Sequence, residues 1–167
     1  MVLLNWTITM GNKNKRFLGK SVLEATEERI SWTFDNFPSI YVSFSGGKDS
    51  TIMLHLVMDE AIKRNRKIGV LFVDLEGQYK ITIDHILNMY DKYKEYIDPY
   101  WVCLPLSLRN AVSQYEPKWV TWEHGRELDW IRTPPKMAIT DTEFFPFYEY
   151  GMEFEDFVRD FGKWYAE

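Results

Sequence analysis

Along this chain, compact apolar runs take turns with stretches whose apolar positions recur every three to four residues. Ser21-Val22-Leu23-Glu24 has the spacing of a capping box, with Ser21 at the N-cap and Glu24 three residues on. Val22, Leu23, Ile30 and Phe34 carry helical spacing to about Asn36, and Pro38 stops it. Ile40–Phe44 is a short β-rich run that breaks at Ser45-Gly46-Gly47, and Asp49 to about Arg64 is helical again, with Ile52, Leu56 and Val57 on one side. Ile68–Val73 is continuously apolar, as a strand covered on both faces would be, and Asp74 ends it. A further helix is predicted over Ile81–Tyr96 and a third strand over Tyr100–Leu104, before Pro105. This alternation predicts an α/β fold: an open, mainly parallel sheet with flanking helices and right-handed crossovers.

Beyond Pro105 the pattern weakens. Arg109–Tyr115 reads as a short helix, Trp119, Trp122 and Trp130 punctuate a loop-rich region, and Phe154–Trp164 reads as a last helix. The chain divides into an arm (1–20), the α/β domain (21–130) and an acidic, aromatic-rich extension packing on it (131–167).

Composition narrows the function classes. Hydrophobic residues make up 46% of the chain, enough for a packed core. With 20 basic against 25 acidic residues the net charge is -5, which argues against a nucleic-acid binder. The small basic cluster Lys63–Lys67 fits a solvated helix end. The single cysteine, Cys103, cannot make an intrachain disulfide, nor by itself a zinc or iron–sulfur site. His55, His85 and His124 are scattered without metal spacing. There is no basic n-region at the start and no window of about eighteen apolar residues, so a cytoplasmic protein without membrane contact is expected.

The chemistry is concentrated in Ser45-Gly46-Gly47-Lys48-Asp49-Ser50-Thr51, between a strand and a helix. Two glycines let backbone approach a bulky anion, and the helix that follows offers unpaired N–H groups and the positive end of its dipole. Hydroxyls of Ser45, Ser50 and Thr51 and the charge of Lys48 complete a phosphate cradle. The spacing is neither that of a Walker A loop nor that of a dinucleotide turn.

This hexapeptide after an apolar strand resembles the PP-loop of the N-type ATP pyrophosphatases. Within that group the chain is similar to the phosphoadenosine phosphosulfate (PAPS) reductase family, which includes the small subunit of ATP sulfurylase. Met53-Leu54-His55-Leu56 resembles the sulfurylase branch. Asp74 and Thr82 match the family's Asp-Thr-Gly-x-x-Phe-Pro-Glu-Thr segment, with Tyr79 in place of its Phe. Leu108–Val112 and Glu153–Phe157 resemble a prophage-associated branch.

The resemblance implies an adenine nucleotide alpha hydrolase-like fold and a site for ATP or PAPS with Mg²⁺, held by Ser43, Ser45, Gly46, Gly47, Lys48, Ser50 and Thr51. Asp49 is either a helix cap or a Mg²⁺ ligand, and Asp74 either faces the nucleotide or metal or closes a turn. Arg109 meets an anionic substrate or lies solvated. The implied chemistry is cleavage between the α and β phosphates of ATP, or adenylyl transfer, in sulfur metabolism, with Lys48, Asp49 and Asp74 as the catalytic candidates. Family reductases use a cysteine near the C-terminus, whereas Cys103 lies in a predicted strand and reads as buried, so neither thiol-based reduction nor an iron–sulfur cluster is expected. The family's later strands are not found either, which leaves the loop-bearing strand at an edge. A second copy, a partner protein or the rings of Phe144, Phe145, Phe147, Tyr148 and Tyr150 would cover it. The alternative expectation is a catalytically incomplete nucleotide-binding module that acts through a partner.

Overall fold

The computed structural model describes residues 19–110, 114, 115 and 117–167. Most of the expected arm, and the middle of the helix expected over Arg109–Tyr115, lie outside the described residues.

Helix α1 (Val22–Asn36) starts with the capping box read from the sequence: Glu24 N donates to Ser21 Oγ at 3.2 Å and Ser21 N to Glu24 Oε2 at 2.7 Å. Strand β1 (Tyr41–Ser43), helix α2 (Lys48–Lys63), strand β2 (Ile68–Val73), helix α3 (Lys80–Tyr93) and strand β3 (Ile97–Val102) follow. The three strands form one parallel sheet in the order β1-β2-β3, in register Val42 to Val70 and Val70 to Pro99. A small antiparallel pair, β4 (Ser107–Arg109) and β5 (Lys118–Val120), comes next, and helix α4 (Phe154–Ala166) closes the chain. No helix among the described residues is long and apolar enough to cross a membrane.

The period of two along β2 separates two cores. Ile68, Val70 and Phe72 point to one face and pack with Ile30 and Phe34 of α1, Leu54 and Met58 of α2, and Ile86 of α3. Leu71 and Val102 point to the other, against Phe157 and Phe161 of α4 and Phe145. Gly69 belongs to this second face, and a Cβ there would lie 2.8 Å from the Tyr165 ring, so glycine sets how closely α4 approaches. The aromatic tail therefore packs on a face of the sheet: Phe145 is buried, with ring centroids 5.4 Å from Phe157 and 5.1 Å from Trp164.

Two sequence readings are corrected. Strand β3 begins at Ile97, three residues before the expected Tyr100, because Pro99 is tolerated there. Ile68 N donates to Tyr96 O and Asp74 N to Val102 O, so even-numbered residues of β3 bond β2 and the missing N–H of Pro99 falls on the outer edge. Arg109 ends β4 and pairs with Lys118, so no helix starts there; strand pairing across the hairpin overrides local propensity.

The basic cluster after α2 is not a solvated end. Arg64 donates to Glu60 Oε1 and Asp35 Oδ1, both at 2.5 Å, and to Ser31 Oγ at 2.8 Å, while Arg66 donates to Phe34 O at 3.0 Å and Phe37 O at 2.6 Å. These two side chains tie α1 to the end of α2. The hydrogen bond from Arg64 holds the Glu60 carboxyl below its ordinary value of 4.5. That contribution is complete above 4.5 and is lost as the pH falls through the lowered folded value. Replacing Arg64 with Ala should lower the melting temperature at pH 7, because the ties to Glu60, Asp35 and Ser31 are lost together. Thermal melts of both proteins at pH 7 and at pH 3 should show the gap narrowing in acid; a gap independent of pH would rule out the Glu60 contact as its source.

Candidate functional site

The loop between β1 and α2 has the geometry of an open anion cradle. Gly47 is the N-cap of α2 and, lacking a side chain, caps nothing. The first intrahelical bond runs from Thr51 N to Gly47 O at 2.9 Å, which leaves the amides of Lys48, Asp49 and Ser50 without a partner among the described residues. Three hydroxyls gather there. Ser50 Oγ lies 3.0 Å from Ser45 Oγ and donates to Gly47 O at 3.0 Å, and Thr51 Oγ1 donates to Gly47 O at 2.8 Å. Thr51 Oγ1 is also 2.9 Å from His85 Nε2 on α3.

Gly46 makes the turn possible. Its φ is +73°, and a Cβ would come within 2.9 Å of Ile86 and Thr82, so the loop is pressed against α3 at a point where only glycine fits. Lys48 and Asp49 form an exposed ion pair, with side chains 81% and 89% accessible. Ser43, exposed, ends β1 just below the loop. Ser43, Ser45, Gly46, Gly47, Lys48, Asp49, Ser50 and Thr51 thus occupy one strand–loop–helix corner.

Asp74 is placed differently. It has no solvent exposure, and its carboxylate is fully engaged: Oδ2 accepts from Trp101 Nε1 at 2.8 Å, and Oδ1 accepts from Glu76 N at 2.9 Å and from Arg132. Its backbone oxygen accepts from Trp122 Nε1 at 2.6 Å. In this arrangement Asp74 ties the end of β2 to a distant irregular segment and offers no free oxygen to the cradle. Arg109 is 81% accessible and lies 3.6 Å from Glu153, whose next residue, Phe154, lines a cleft with Ser43 and Ser45. Cys103 is buried; burial first, then the Asp74 carboxylate, pushes its thiol far above the ordinary value, with Arg132 opposing. Such a thiol is a poor nucleophile.

Four residues that the sequence did not single out shape this end of the molecule. Glu76 is buried in a left-handed conformation (φ 65°), and its carboxylate accepts from Trp122 N at 2.9 Å and Ile131 N at 3.1 Å. Trp122 is buried, also with positive φ, under the guanidinium of Arg132 at 5.1 Å. Gln78 lines the small cleft beside the cradle. The available signal was the acidic pair of Asp74-Leu75-Glu76 just after a fully apolar strand, a place where carboxylates meet the core. A larger cleft, about 560 Å³, opens nearby between Glu76, Trp119, Lys118 and Glu123.

Asp74→Ala would strand the Arg132 charge and two N–H donors, and should cost roughly 3–5 kcal/mol in denaturant unfolding. Full stability combined with lost nucleotide binding would instead make Asp74 a ligand contact.

Residues 39–133 match the phosphoadenosine phosphosulfate reductase domain. The uncharacterized protein YbdN of Escherichia coli (strain K12) is 47% identical over 148 residues, which cover 88% of this chain and 36% of that protein. The chain thus spans about a third of the length of the curated relative it matches. A three-stranded parallel sheet flanked by helices agrees with that assignment. The chain belongs to the phosphoadenosine phosphosulfate reductase domain family.

Proposed function

We propose that the chain binds an adenine nucleotide, ATP or PAPS, by its phosphate end at Ser45–Thr51, and that its chemistry is cleavage between the α and β phosphates of ATP or adenylyl transfer. One observation carries this reading. Three consecutive helix-start amides, Lys48 to Ser50, have no partner among the described residues, and they lie beside three hydroxyls and the exposed Lys48, ion-paired only with its neighbour Asp49, at the carboxyl end of a parallel strand.

In the reaction, an acceptor oxygen bonds to the α-phosphorus while the bond from that phosphorus to its bridging oxygen breaks, and pyrophosphate leaves with the electron pair. The amides and Lys48 hold the leaving pyrophosphate and oppose the charge that grows on it. Ser45, Ser50 and Thr51 orient the phosphate oxygens. Asp49 is the acidic group of the loop and is the residue that would hold Mg²⁺, which would supply positive charge against the phosphates. No protein nucleophile is required for this step, and Cys103, being buried, is not placed to serve as one.

A second reading, a nucleotide-binding module that acts with a partner or a second copy, rests on the edge of β1. Gly69 N donates to Ile40 O at 3.0 Å and Phe44 N to Leu71 O at 2.7 Å, so Tyr41 and Ser43 turn their N–H and C=O groups outward. No described residue bonds them. Such an edge is a docking place for another strand.

Calorimetric titration with ATP and with PAPS, each with Mg²⁺, tests the shared part of both readings. Lys48→Ala should weaken binding roughly 10- to 100-fold, the worth of a charge-assisted contact, and leave the melting temperature unchanged because the side chain is exposed. Gly46→Ala should weaken it as well, through the strained turn. Undiminished affinity in a folded Lys48→Ala protein rejects the cradle. Formation of AMP and pyrophosphate separates the enzyme from the module.

A further inference from the structure

We infer that Gln78 reads the base of the bound nucleotide and selects adenine through its exocyclic amine, an inference that rests on the nucleotide reading of the cradle. A narrow cleft of about 130 Å³ opens at the carboxyl ends of β1 and β2, lined by Ser43, Phe44, Ser45, Phe72, Val73 and Gln78 among others. Two of these residues belong to the cradle corner, so the cleft and the phosphate site are continuous. Its volume is well below the roughly 300–1,000 Å³ of a site for a whole ligand, so it takes one flat ring.

The Gln78 side chain is the unusual feature. Its Oε1 is buried and has no hydrogen-bond partner. A buried acceptor without a donor is rare in folded proteins and calls for an explanation. The backbone that carries it is fixed just before it. Glu76 N donates to Asp74 Oδ1 at 2.9 Å, the Glu76 carboxylate accepts from two distant amides, and Gly77 N donates to Leu75 O at 2.6 Å. Tyr79, next in the chain, is the N-cap of α3. Gln78 therefore lines the cleft from a fixed turn, with its acceptor capacity unused.

A primary amide is the complement of the adenine edge, where an amine donates to its oxygen and a ring nitrogen accepts from its NH₂. The apolar walls given by Phe44, Phe72 and Val73 suit the rest of a heterocycle. A purine with an oxo group at position 6 brings an acceptor to the buried oxygen in place of the amine, and can pair there only if the amide turns over.

The test titrates the full chain with ATP and with inosine triphosphate, which exchanges that amine for an oxo group, both with Mg²⁺. Wild type should prefer ATP by about tenfold or more. Gln78→Met, close in shape but without the amide, should bring the ratio to near one by weakening ATP alone. Gln78→Glu keeps an acceptor oxygen and should keep the preference. An unaltered ratio in Gln78→Met, or no preference in wild type, overturns the inference while binding itself stands. Failure of wild type to bind either nucleotide overturns the cradle reading and this inference with it. Lys48→Ala, which should weaken both nucleotides equally, separates the phosphate contribution from the base contribution. If Gln78→Met melts early, the wild-type ratio and Gln78→Glu decide.

Discussion

A carboxylate shut away from water at the end of β2 has to be matched by donors, and that demand organises the part of this molecule that lacks regular structure. An unpaired buried charge costs several kcal/mol, so Asp74 draws in whatever can satisfy it. The donors are Trp101 from the neighbouring strand and Arg132 from far along the chain, while Trp122 donates to its backbone oxygen. Residues 121–132 have little secondary structure of their own. They are held because Asp74 and Glu76 bind them at Trp122, Ile131 and Arg132. The same bonds fix Glu76 in its left-handed conformation, and that turn sets where Gly77 and Gln78 lie.

The two helix starts that flank β1 show how one fold handles opposite needs. At α1 the first turn is closed by Ser21 and Glu24, each satisfying the other's amide. At α2 the N-cap is a glycine, and the nearby hydroxyls of Ser50 and Thr51 donate to Gly47 O, leaving the amides uncovered. A helix start left open beside solvent passes its N–H groups to water and leaves them available to a ligand. The contrast within one chain is the physical content of the cradle. One terminus is closed from within, and the other leaves its amides open.

How much of this was legible in the sequence follows from where the signal is local. The capping box, the apolar run of β2 and the glycine-rich turn each depend on residues close in the chain, and all three are found where the pattern puts them. The start of β3 was hidden by Pro99, whose missing N–H falls harmlessly on the outer edge. Arg64 and Arg66 read as a surface charge run because their partners, Ser31, Asp35, Phe34 and Phe37, are about thirty residues away. Asp74 stood out as chemistry-bearing by its position after a strand, but its engagement with Trp101, Trp122 and Arg132 depends on contacts that no local pattern encodes. Glu76 and Gln78 were missed for the same reason.

The position of the cradle on the sheet bears on what the chain can do. Crossovers from β1 through β3 run in one direction, with α2 and α3 on one face, while α4 covers the other. In open parallel sheets the ligand crevice forms at the carboxyl ends, where strands wind away from one another in opposite directions. Here β1 has a neighbour on one side only among the described residues, so they build one wall of such a crevice. On the proposed nucleotide reading, phosphate contacts would come from the β1–α2 corner itself and need no second wall. Orienting an acceptor against the α-phosphorus and excluding water does need enclosure on both sides. On that reading, binding and turnover are separable in this architecture: the first would depend on Ser45–Thr51, and the second on what lies along the outward groups of Tyr41 and Ser43.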